Sequence, residues 1–262
     1  MGRREELERL AETPEERLLL AKARDRLYAG AQRNVPAFTS FLSLREQDLV
    51  RRLFQGDLKL VFFGGFPEAE RNIACFLPDY WTEDQLWGQE GPIACIHATY
   101  FQEDRLSHRD FLGGLVGSGI RRDAVGDISV YPSGCDFFLT AELAPFVLQN
   151  FQQAGRSRLH LDQIPLRQAR IPQPVTQTLQ DTLASPRLDS VIGAGFRIGR
   201  SQAQTHVTGG RAFVNGALCE KPDRQLRPGD IVSVRSLGKI RLAEIGNPTR
   251  KGRLPVRIEK FV

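Results

Sequence analysis

The last third of the chain has a large excess of basic over acidic side chains, and its arginines could hold phosphate groups through paired hydrogen bonds from the guanidinium nitrogens. Residues 181–262 contain 15 Lys and Arg against 7 Asp and Glu, whereas residues 1–180 contain 21 against 24. The C-terminal segment therefore has a net charge of +8 and the remainder a net charge of −3. Surface salt bridges would explain one or two of these arginines but not the whole excess, so the charge distribution favours binding to a nucleic-acid backbone.

Two short helices and a hairpin would have to position these basic side chains. Ser185 is a candidate N-cap and Pro186 a suitable first residue of one helix, which is expected to end at Gly193 and Gly195. Asn215-Gly216 is a strong signal for a two-residue hairpin turn, because both residues accept positive φ. The segment is therefore predicted to form a compact module.

The second helix is expected to begin at its cap Ser201, to extend to about Thr208 and to stop at Gly209-Gly210. Its N-terminus would present backbone N–H groups without partners and the positive end of the helix dipole, with Arg200 immediately before it. A phosphate group would be well held at this position.

Cations and polar side chains of this segment are the candidates for RNA contact. We predict that RNA is bound by Arg187, Arg197, Arg200, Ser201, Gln202, Gln204, Thr205, Arg211, Asn215 and Lys221. Turn geometry is the competing explanation for Asn215, because the hairpin itself needs an Asn-Gly pair.

The same segment closely resembles the S-four RNA-binding domain, first described in a protein of the small ribosomal subunit. Four stretches with matching spacing carry the resemblance: Arg187-Leu188-Asp189, Arg200-Ser201-Gln202-Ala203, residues 210–216 and residues 229–234. The first stretch also resembles the Arg-Leu-Asp of pseudouridine synthases, in which the aspartate is the nucleophile. Here the tripeptide lies inside the S-four module itself, so Asp189 is interpreted as a structural residue of the first helix.

The middle of the chain is similar to the YlmH family. The matching signatures are residues 64–71 (GGFPEAER) and 108–115 (HRDFLGGL), followed by Gly119-Ile120-Arg121-Arg122 and Gly126-Asp127-Ile128. The resemblance covers most of the chain and is weakest over residues 1–35 and the linker. Within the family, the chain looks most similar to the cyanobacterial and plastid branch called photosystem II S-four domain protein.

The resemblance implies an α+β fold: a helical N-terminal region with a small β element, an RNA-recognition-like βαββαβ middle domain and a C-terminal S-four RNA-binding domain. It also implies a non-catalytic protein that binds structured ribosomal RNA, of the large subunit or its peptidyl-tRNA complex, in ribosome-associated translation quality control. Two alternatives stay open. One is an RNA-modifying enzyme that docks through the S-four domain, and the other is a photosystem-related assembly or regulatory factor.

The hydrophobic pattern predicts the same order of domains. Helical periodicity over residues 15–24 and a capping box at Ser43 and Glu46 indicate a mostly helical region over 1–88, with strands at 58–63 and 72–77. Residues 89–168 follow the order βαββαβ of ferredoxin-like domains, with elements at 93–100, 108–117, 127–131, 136–140, 142–151 and 158–166. Residues 169–184 are polar and contain Pro172 and Pro174, which predicts a linker before an S-four domain at 185–262.

The middle domain offers a possible second RNA contact at His108, Arg109, Arg121 and Arg122. His108 and Asp110 also invite an acid–base interpretation, but residues two apart on a helix do not face one another. A structural or RNA-contacting helix start is therefore preferred. Tyr100, Phe137 and Phe138 are predicted either to stack on bases, as in RNA-recognition domains, or to pack in the core.

Composition limits the remaining possibilities. Of the 262 residues, 41% are hydrophobic and 26% charged, as in globular proteins, and no apolar run approaches the roughly 20 residues of a membrane-spanning helix. The four cysteines lie far apart without metal-ligand spacing, so buried reduced thiols are favoured over zinc or disulfides. We expect no metal, cofactor, small-molecule substrate or membrane insertion, and a location in the cytoplasm, or in the plastid stroma if the protein is organellar.

Overall fold

The computed structural model describes residues 9–101, 103–171, 176–250 and 252–261. The chain forms two compact units, Met1–Pro172 and Gln173–Val262, and both combine helices with antiparallel strands, so the α+β class is confirmed. The predicted division of the first unit near residue 88 stays a prediction. No helix within the described ranges has both the length and the apolar character needed to cross a bilayer.

The first unit begins with two helices and three strands: α1 (Pro14–Arg33), β1 (Ala37–Leu42), α2 (Leu44–Leu53), β2 (Leu60–Phe63) and β3 (Asn72–Phe76). The strands form an antiparallel sheet in the order β1-β3-β2, of which β1 has no counterpart among the predicted elements. The predicted capping box is present, because Glu46 N–H donates to Ser43 Oγ (3.4 Å) and Ser43 N–H donates to Glu46 Oε2 (2.6 Å).

A second sheet and two helices follow. In chain order the elements are β4 (Ile93–Thr99), α3 (His108–Gly117), β5 (Val125–Tyr131), β6 (Gly134–Thr140), α4 (Ala144–Asn150) and β9 (His160–Ile164). A separate short hairpin of β7 (Gln153–Ala154) and β8 (Ser157–Arg158) lies before β9. The strand order of the second sheet is β5-β6-β4-β9, and all neighbouring strands are antiparallel. This is the βαββαβ topology of ferredoxin-like domains, as predicted. We call it the middle sheet.

Both faces of the middle sheet are covered. On one face, Phe137 of β6 packs against Phe111 of α3 and Phe151 at the end of α4. On the other face, Phe138 belongs to a buried cluster that includes Phe41 of β1. The sheet of β1, β3 and β2, which we call the N-terminal sheet, therefore shares one hydrophobic core with the middle sheet, and α3 and α4 pack over a second core on its other face.

The face on which RNA-recognition domains stack bases is consequently not available along these strands. Phe137 and Phe138 are 0% exposed, and the ring of Tyr100 packs 6.0 Å from that of Phe111. The base-stacking prediction is wrong for Phe137 and Phe138, which core packing describes, whereas Tyr100 is only partly buried and its stacking on a base stays a prediction.

Residues 64–71, between β2 and β3, join the two sheets. The backbone N–H groups of Glu70 and Arg71 donate to the carboxylate of Asp127 (2.7 and 3.3 Å). The guanidinium of Arg71 donates to the carbonyl oxygens of Val125 and Phe41 (2.9 and 3.0 Å). Arg71 thereby bridges β5 and β1 and serves as an internal cation of the fold.

Gly65 in this segment has a position that other residue types do not fit. Its φ is +92°, and a Cβ atom there would lie 2.6 Å from the ring of Phe138. On β5, a Cβ atom at Gly126 would lie 2.6 Å from the ring of Phe41. The two glycines allow the two sheets to approach each other closely.

The second unit contains β10 (Thr176–Leu183), α5 (Leu188–Phe196), α6 (Arg200–Thr208), β11 (Ala212–Val214), β12 (Ala217–Leu218), β13 (Ile231–Val234), β14 (Gly238–Ile245) and β15 (Leu254–Phe261). The sheet order is β10-β15-β14-β13-β11-β12. β10 pairs with β15 along its whole length, so the predicted linker 169–184 is wrong over 176–183. As an edge strand with mostly exposed side chains, β10 lacks the hydrophobic pattern that predicts a strand.

The predicted N-terminus of α5 at Ser185 and Pro186 is wrong. The N-cap is Arg187, and the helix begins at Leu188. Pro186 lies outside the helix because its carbonyl oxygen accepts a hydrogen bond from the N–H of Leu226 (2.8 Å), which pairs this stretch with a later loop.

The predicted end of α5 at Gly193 and Gly195 is also wrong, since the helix continues to Phe196 and its C-cap is Arg197, with φ of +55°. Gly195 is required for packing instead, because a Cβ atom there would lie 2.6 Å from the side chain of Ile240.

The second helix starts one residue earlier than predicted. Its N-cap is Gly199 and its first residue is Arg200, so that Ser201 lies within the first turn instead of capping it. The predicted stop at Gly209 is confirmed, with Gly209 as the C-cap.

Gly65→Ala should destabilise the first unit by about 2 kcal/mol or more, since the added methyl group meets Phe138 and the backbone conformation disfavours every residue but glycine. Both tryptophans of the chain, Trp81 and Trp87, lie in this unit. Urea unfolding followed by tryptophan fluorescence therefore measures the free energy of unfolding of this unit.

Gly113→Ala is the matched control. Gly113 lies within α3, and a Cβ atom there meets nothing within 4 Å. This variant should be more stable than the wild type by roughly 0.5–1 kcal/mol. A Gly65→Ala variant as stable as the wild type would show that the contact between the two sheets does not need this glycine.

Candidate RNA-binding surface

The starts of α5 and α6 bring three predicted contact residues together around Asp189. Arg187 donates to both carboxylate oxygens, through Nε to Oδ1 (3.1 Å) and through Nη2 to Oδ2 (3.2 Å). Arg200 Nε (3.1 Å) and Gln204 Nε2 (3.0 Å) both donate to Oδ2. Asp189 thereby fixes the directions of two guanidinium groups and one amide, and we call these four residues the Asp189 cluster.

Asp189 itself is fully buried, and its charge is compensated within the cluster. Burial alone would raise the pKa of this carboxyl group, but hydrogen bonds from Arg187, Gln204 and Arg200 lower the pKa to about 2. The backbone N–H of Asp189 also donates to the carbonyl oxygen of Pro222 (3.0 Å), which ties the loop after β12 to the start of α5. This geometry agrees with the interpretation of Asp189 as a structural residue.

The two arginines of the cluster differ in what they offer to a ligand. The side chain of Arg187 is 29% exposed and uses both Nε and Nη2 on Asp189. The side chain of Arg200 is 61% exposed and uses only Nε, so its two Nη groups are not spent on the carboxylate. Arg200 is also the first residue of α6, where backbone N–H groups have no acceptor within the helix. A cation and helix-end N–H groups thus coincide, as binding of a phosphate requires.

Ser201, Gln202 and Thr205 are exposed on the first turns of α6. Gln202 Oε1 accepts the N–H of Gly199 (3.3 Å), and the hydroxyl of Thr205 donates to the carbonyl oxygen of Ser201 (3.0 Å). The side chains of Gln202 and Thr205 therefore partly stabilise the helix, whereas the Ser201 hydroxyl has no bond to any residue in the described ranges.

Arg197, Arg211 and Lys221 are exposed, and their side chains form no hydrogen bond or ion pair with the described residues. Arg224 and Arg227 are exposed in the loop after Lys221, and the carbonyl oxygen of Arg224 accepts the N–H of the first residue of α5 (2.9 Å). Motif analysis missed these last two arginines, for which the charge excess of the segment is the signal. The loop brings them to the same end of α5 as the Asp189 cluster.

Asn215 turns the hairpin between β11 and β12 with φ of +50°. Its Nδ2 donates to Asp230 (2.8 Å) and its Oδ1 accepts the N–H of Ile231 (2.9 Å). These bonds join the hairpin to the turn before β13, so turn geometry accounts for Asn215, and its contact with RNA stays a prediction.

The predicted second contact is only partly available at the surface. Arg121 is exposed but its guanidinium is paired with Asp123 (Nε to Oδ1, 2.9 Å). Arg122 is half-buried and donates to the carbonyl oxygen of Val125 (2.6 Å), which holds the turn before β5. Arg109 is exposed, with no side-chain bond to the described residues. Of the three arginines, Arg109 is the one that retains its full side chain for a ligand.

His108 and Asp110 do not form a pair. Ser107 is the N-cap of α3, and its N–H and hydroxyl donate to Asp110 Oδ2 (2.8 and 2.7 Å), which lowers the pKa of the Asp110 carboxyl. His108 is exposed, and partial desolvation of its ring and the charge of Arg122 lower its pKa. Asp110 is therefore a capping residue, in agreement with the helix-start interpretation.

Acidification should destabilise α5 and α6 through Asp189. Because the pKa of this carboxyl is about 2 in the folded state against an ordinary 3.8, its stabilising contribution is complete above about pH 5 and is lost as the pH falls towards 2. The expected loss is about 2 kcal/mol. Hydrogen exchange of the amides in α5 and α6, corrected for intrinsic rates, measures it in the full-length protein.

Asp189→Asn should remove this acid-sensitive component and lower the protection of α5 and α6 at neutral pH by about 3 kcal/mol, since two arginines lose their shared counter-charge. Asp181→Asn, at an exposed position in β10, is the control and should keep wild-type protection. The role assigned to Asp189 is wrong if Asp189→Asn and the control behave alike.

Comparison with known proteins identifies relatives of the chain. The family model described as "Putative RNA-binding domain in YlmH" matches residues 94–168, which include the strands of the middle sheet except for Ile93. The "Ribosome-associated protein quality control protein P2" of Bacillus subtilis (strain 168) is 32% identical over 223 residues, which cover 85% of this chain and 86% of that protein. The small ribosomal subunit protein uS4 of Pseudothermotoga lettingae is 46% identical over 54 residues, 20% of this chain and 26% of the ribosomal protein.

Part of the fold has a counterpart among solved structures. The cell division protein ylmH from Streptococcus pneumoniae superposes with a TM-score of 0.51 at 19% identity, and the match covers 62% of this chain and 97% of that one. The photosystem branch stays a prediction. Since the identity to the Bacillus subtilis protein extends over most of both chains, the chain belongs to the YlmH family.

Proposed function

We propose that the chain is a non-catalytic RNA-binding protein that associates with the ribosome through its C-terminal unit. The observation that carries the proposal is the Asp189 cluster, in which a buried carboxylate directs Arg187 and Arg200 at the N-terminus of α6. The net charge of +8 over residues 181–262 would add long-range attraction to phosphate.

The names of two relatives support a ribosomal setting. The Bacillus subtilis relative is named a ribosome-associated quality control protein, and the partial match to uS4 supports an S-four module in the second unit. We therefore take ribosomal RNA, of the large subunit or its peptidyl-tRNA complex, as the ligand. The protein would work where ribosomes are, in the cytoplasm, or in the plastid stroma if it is organellar.

Phosphate contacts would come first from groups that are both cationic and exposed. Arg200 would use its two Nη groups together with the N–H groups of α6, and Arg197, Arg211 and Lys221 would add further contacts. Such contacts fix the position and orientation of a protein on structured RNA but do not read its bases. The surface would therefore recognise the shape and charge of the RNA.

The groups that could serve a reaction have structural roles, which supports binding without catalysis. Asp110 caps α3, and Asp189 is neutralised by two arginines. Burial raises the pKa values of three cysteine thiols, which disfavours the thiolate form that a nucleophile needs. These are Cys75, Cys95 and Cys135, and the fourth thiol, Cys219, is buried as well.

Replacing Arg197, Arg211 and Lys221 together by alanine should weaken binding to large-subunit RNA and reduce its salt dependence. Each lost phosphate contact lowers the slope of log K against log salt concentration by about 0.7–0.9, so the slope should fall by about 2. Filter binding at several KCl concentrations measures this slope. Folding should be unaffected, because these side chains make no bonds to the described residues.

A matched control removes three exposed arginines from the first unit, Arg33, Arg105 and Arg156, and so changes the net charge equally. Its slope should equal that of the wild type. Equal losses in both triple variants would mean that net charge drives binding, and wild-type binding in both would reject the proposed surface.

A further inference from the structure

The middle sheet has a polar corner next to the part covered by the N-terminal sheet. Cys95 of β4 lies opposite Phe138 of β6, and both are buried in the core shared by the two sheets. Two residues along the same strands, and so on the same face, His97 lies opposite Asp136. A cavity of about 400 Å³ opens there, within the size range of ligand sites. Its lining includes His97, Tyr131, Ser133, Asp136, Gln168 and Arg170.

Asp136 is the buried acceptor around which this corner is built. It is 1% exposed. Its Oδ1 accepts from His97 Nδ1 (2.6 Å) and from the hydroxyl of Tyr131 (2.9 Å), and its Oδ2 accepts the backbone N–H of Arg170 (2.5 Å). Both carboxylate oxygens are therefore engaged by protein donors and are not offered to a ligand.

These bonds hold the imidazole of His97 in one orientation. Because a carboxylate only accepts, Nδ1 donates to Asp136, and in the neutral imidazole Nε2 is then the acceptor, on a side chain that is 30% exposed. Burial and the hydrogen bond to Asp136 raise the pKa of Tyr131, which keeps its hydroxyl a donor to the carboxylate. The orientation of the His97 ring is thus set before any ligand binds.

The rest of the lining offers neutral polar groups and one flat cation. Gln168 and Ser133 are exposed and present an amide and a hydroxyl. The guanidinium of Arg170 lies 5.0 Å from the ring centroid of Tyr131, and its Nη1 donates to Ser133 Oγ (3.3 Å). Stacking and this hydrogen bond fix the guanidinium plane beside the cavity.

We propose that this cavity receives one unpaired base of the bound RNA, an inference that rests on the proposed function. The charges of Asp136 and Arg170 cancel, which favours a neutral heterocycle over a phosphate group. The guanidinium of Arg170 supplies a plane on which a base stacks, and Gln168 and His97 Nε2 supply a donor and acceptors for its edge. The middle domain would read a base, which the phosphate contacts of the second unit do not do.

Arg170→Ala and Gln168→Ala test this inference in the full-length protein. The backbone N–H of Arg170 still reaches Asp136 in the alanine variant, and the side chain of Gln168 bonds to no residue in the described ranges, so folding should persist. Each variant should weaken binding to an RNA hairpin with an unpaired loop about tenfold. Binding to the same sequence as a continuous duplex should be unchanged.

Arg167→Ala is the matched control, since it removes the same side chain from the short 3₁₀ helix Leu166–Gln168. Arg167 lies against Asp84 and the ring of Trp87 instead of lining the cavity. Its loss should leave the affinity for the hairpin unchanged.

Nuclear magnetic resonance of the His97 imidazole separates a base site from an anion site. The four ribonucleosides and inorganic phosphate are titrated separately, and at least one nucleoside should shift the His97 signals while phosphate should not. A response to phosphate alone would overturn the inference.

The outcomes also distinguish this inference from the proposed function. If the wild type binds no RNA, both fail. If the triple variant at Arg197, Arg211 and Lys221 loses RNA while Arg170→Ala and Gln168→Ala bind like Arg167→Ala, the cavity is not a base site and the proposed function stands.

Discussion

In the first unit, the N-terminal sheet packs on the face of the middle sheet that lies opposite the helices, at a distance that excludes a Cβ atom at Gly65 and at Gly126. Much of the unit follows from this contact. The aromatic residues of β6 become core residues, so the surface used by RNA-recognition domains is lost over most of its length. Arg71 becomes an internal donor to two carbonyl oxygens. The polar corner at His97 and Asp136, where the N-terminal sheet ends, is left open to a ligand.

Each unit builds its polar site on one buried carboxylate. Asp189 is compensated by two arginines and a glutamine, and Asp136 by a histidine, a tyrosine and a backbone N–H. Burying a charge is costly even when it is paired, so neither carboxylate is a simple means of increasing stability. Their benefit is orientation: cations are directed at the helix end in the second unit, and the imidazole of His97 is directed in the first.

Local patterns predicted the elements whose signals are strong in isolation. The capping box at Ser43, the helix after Ser107 and the βαββαβ order all depend on short-range chemistry. β10 was not predicted from the sequence. An edge strand buries few side chains and can therefore consist of polar residues, which are also typical of linkers. The start of α5 was misplaced because a partner distant in sequence, Leu226, bonds to Pro186 and keeps it out of the helix. Such partners are invisible to any local window.

The charge excess of the last third identified the unit with a cationic surface, but charge alone does not say how an arginine is used. Contacts divide the predicted cations into three kinds: Arg122 donates to a carbonyl oxygen, Arg200 is directed by a carboxylate, and Arg197 is exposed with no side-chain bond to the described residues. Only the last two kinds can displace counterions from an RNA backbone, and the affinity that they add falls as the salt concentration rises. Stacking and edge contacts at a neutral corner release few counterions. A protein with both surfaces would therefore keep its preference for particular bases at salt concentrations that weaken its overall affinity, because position and sequence are read by different chemistry.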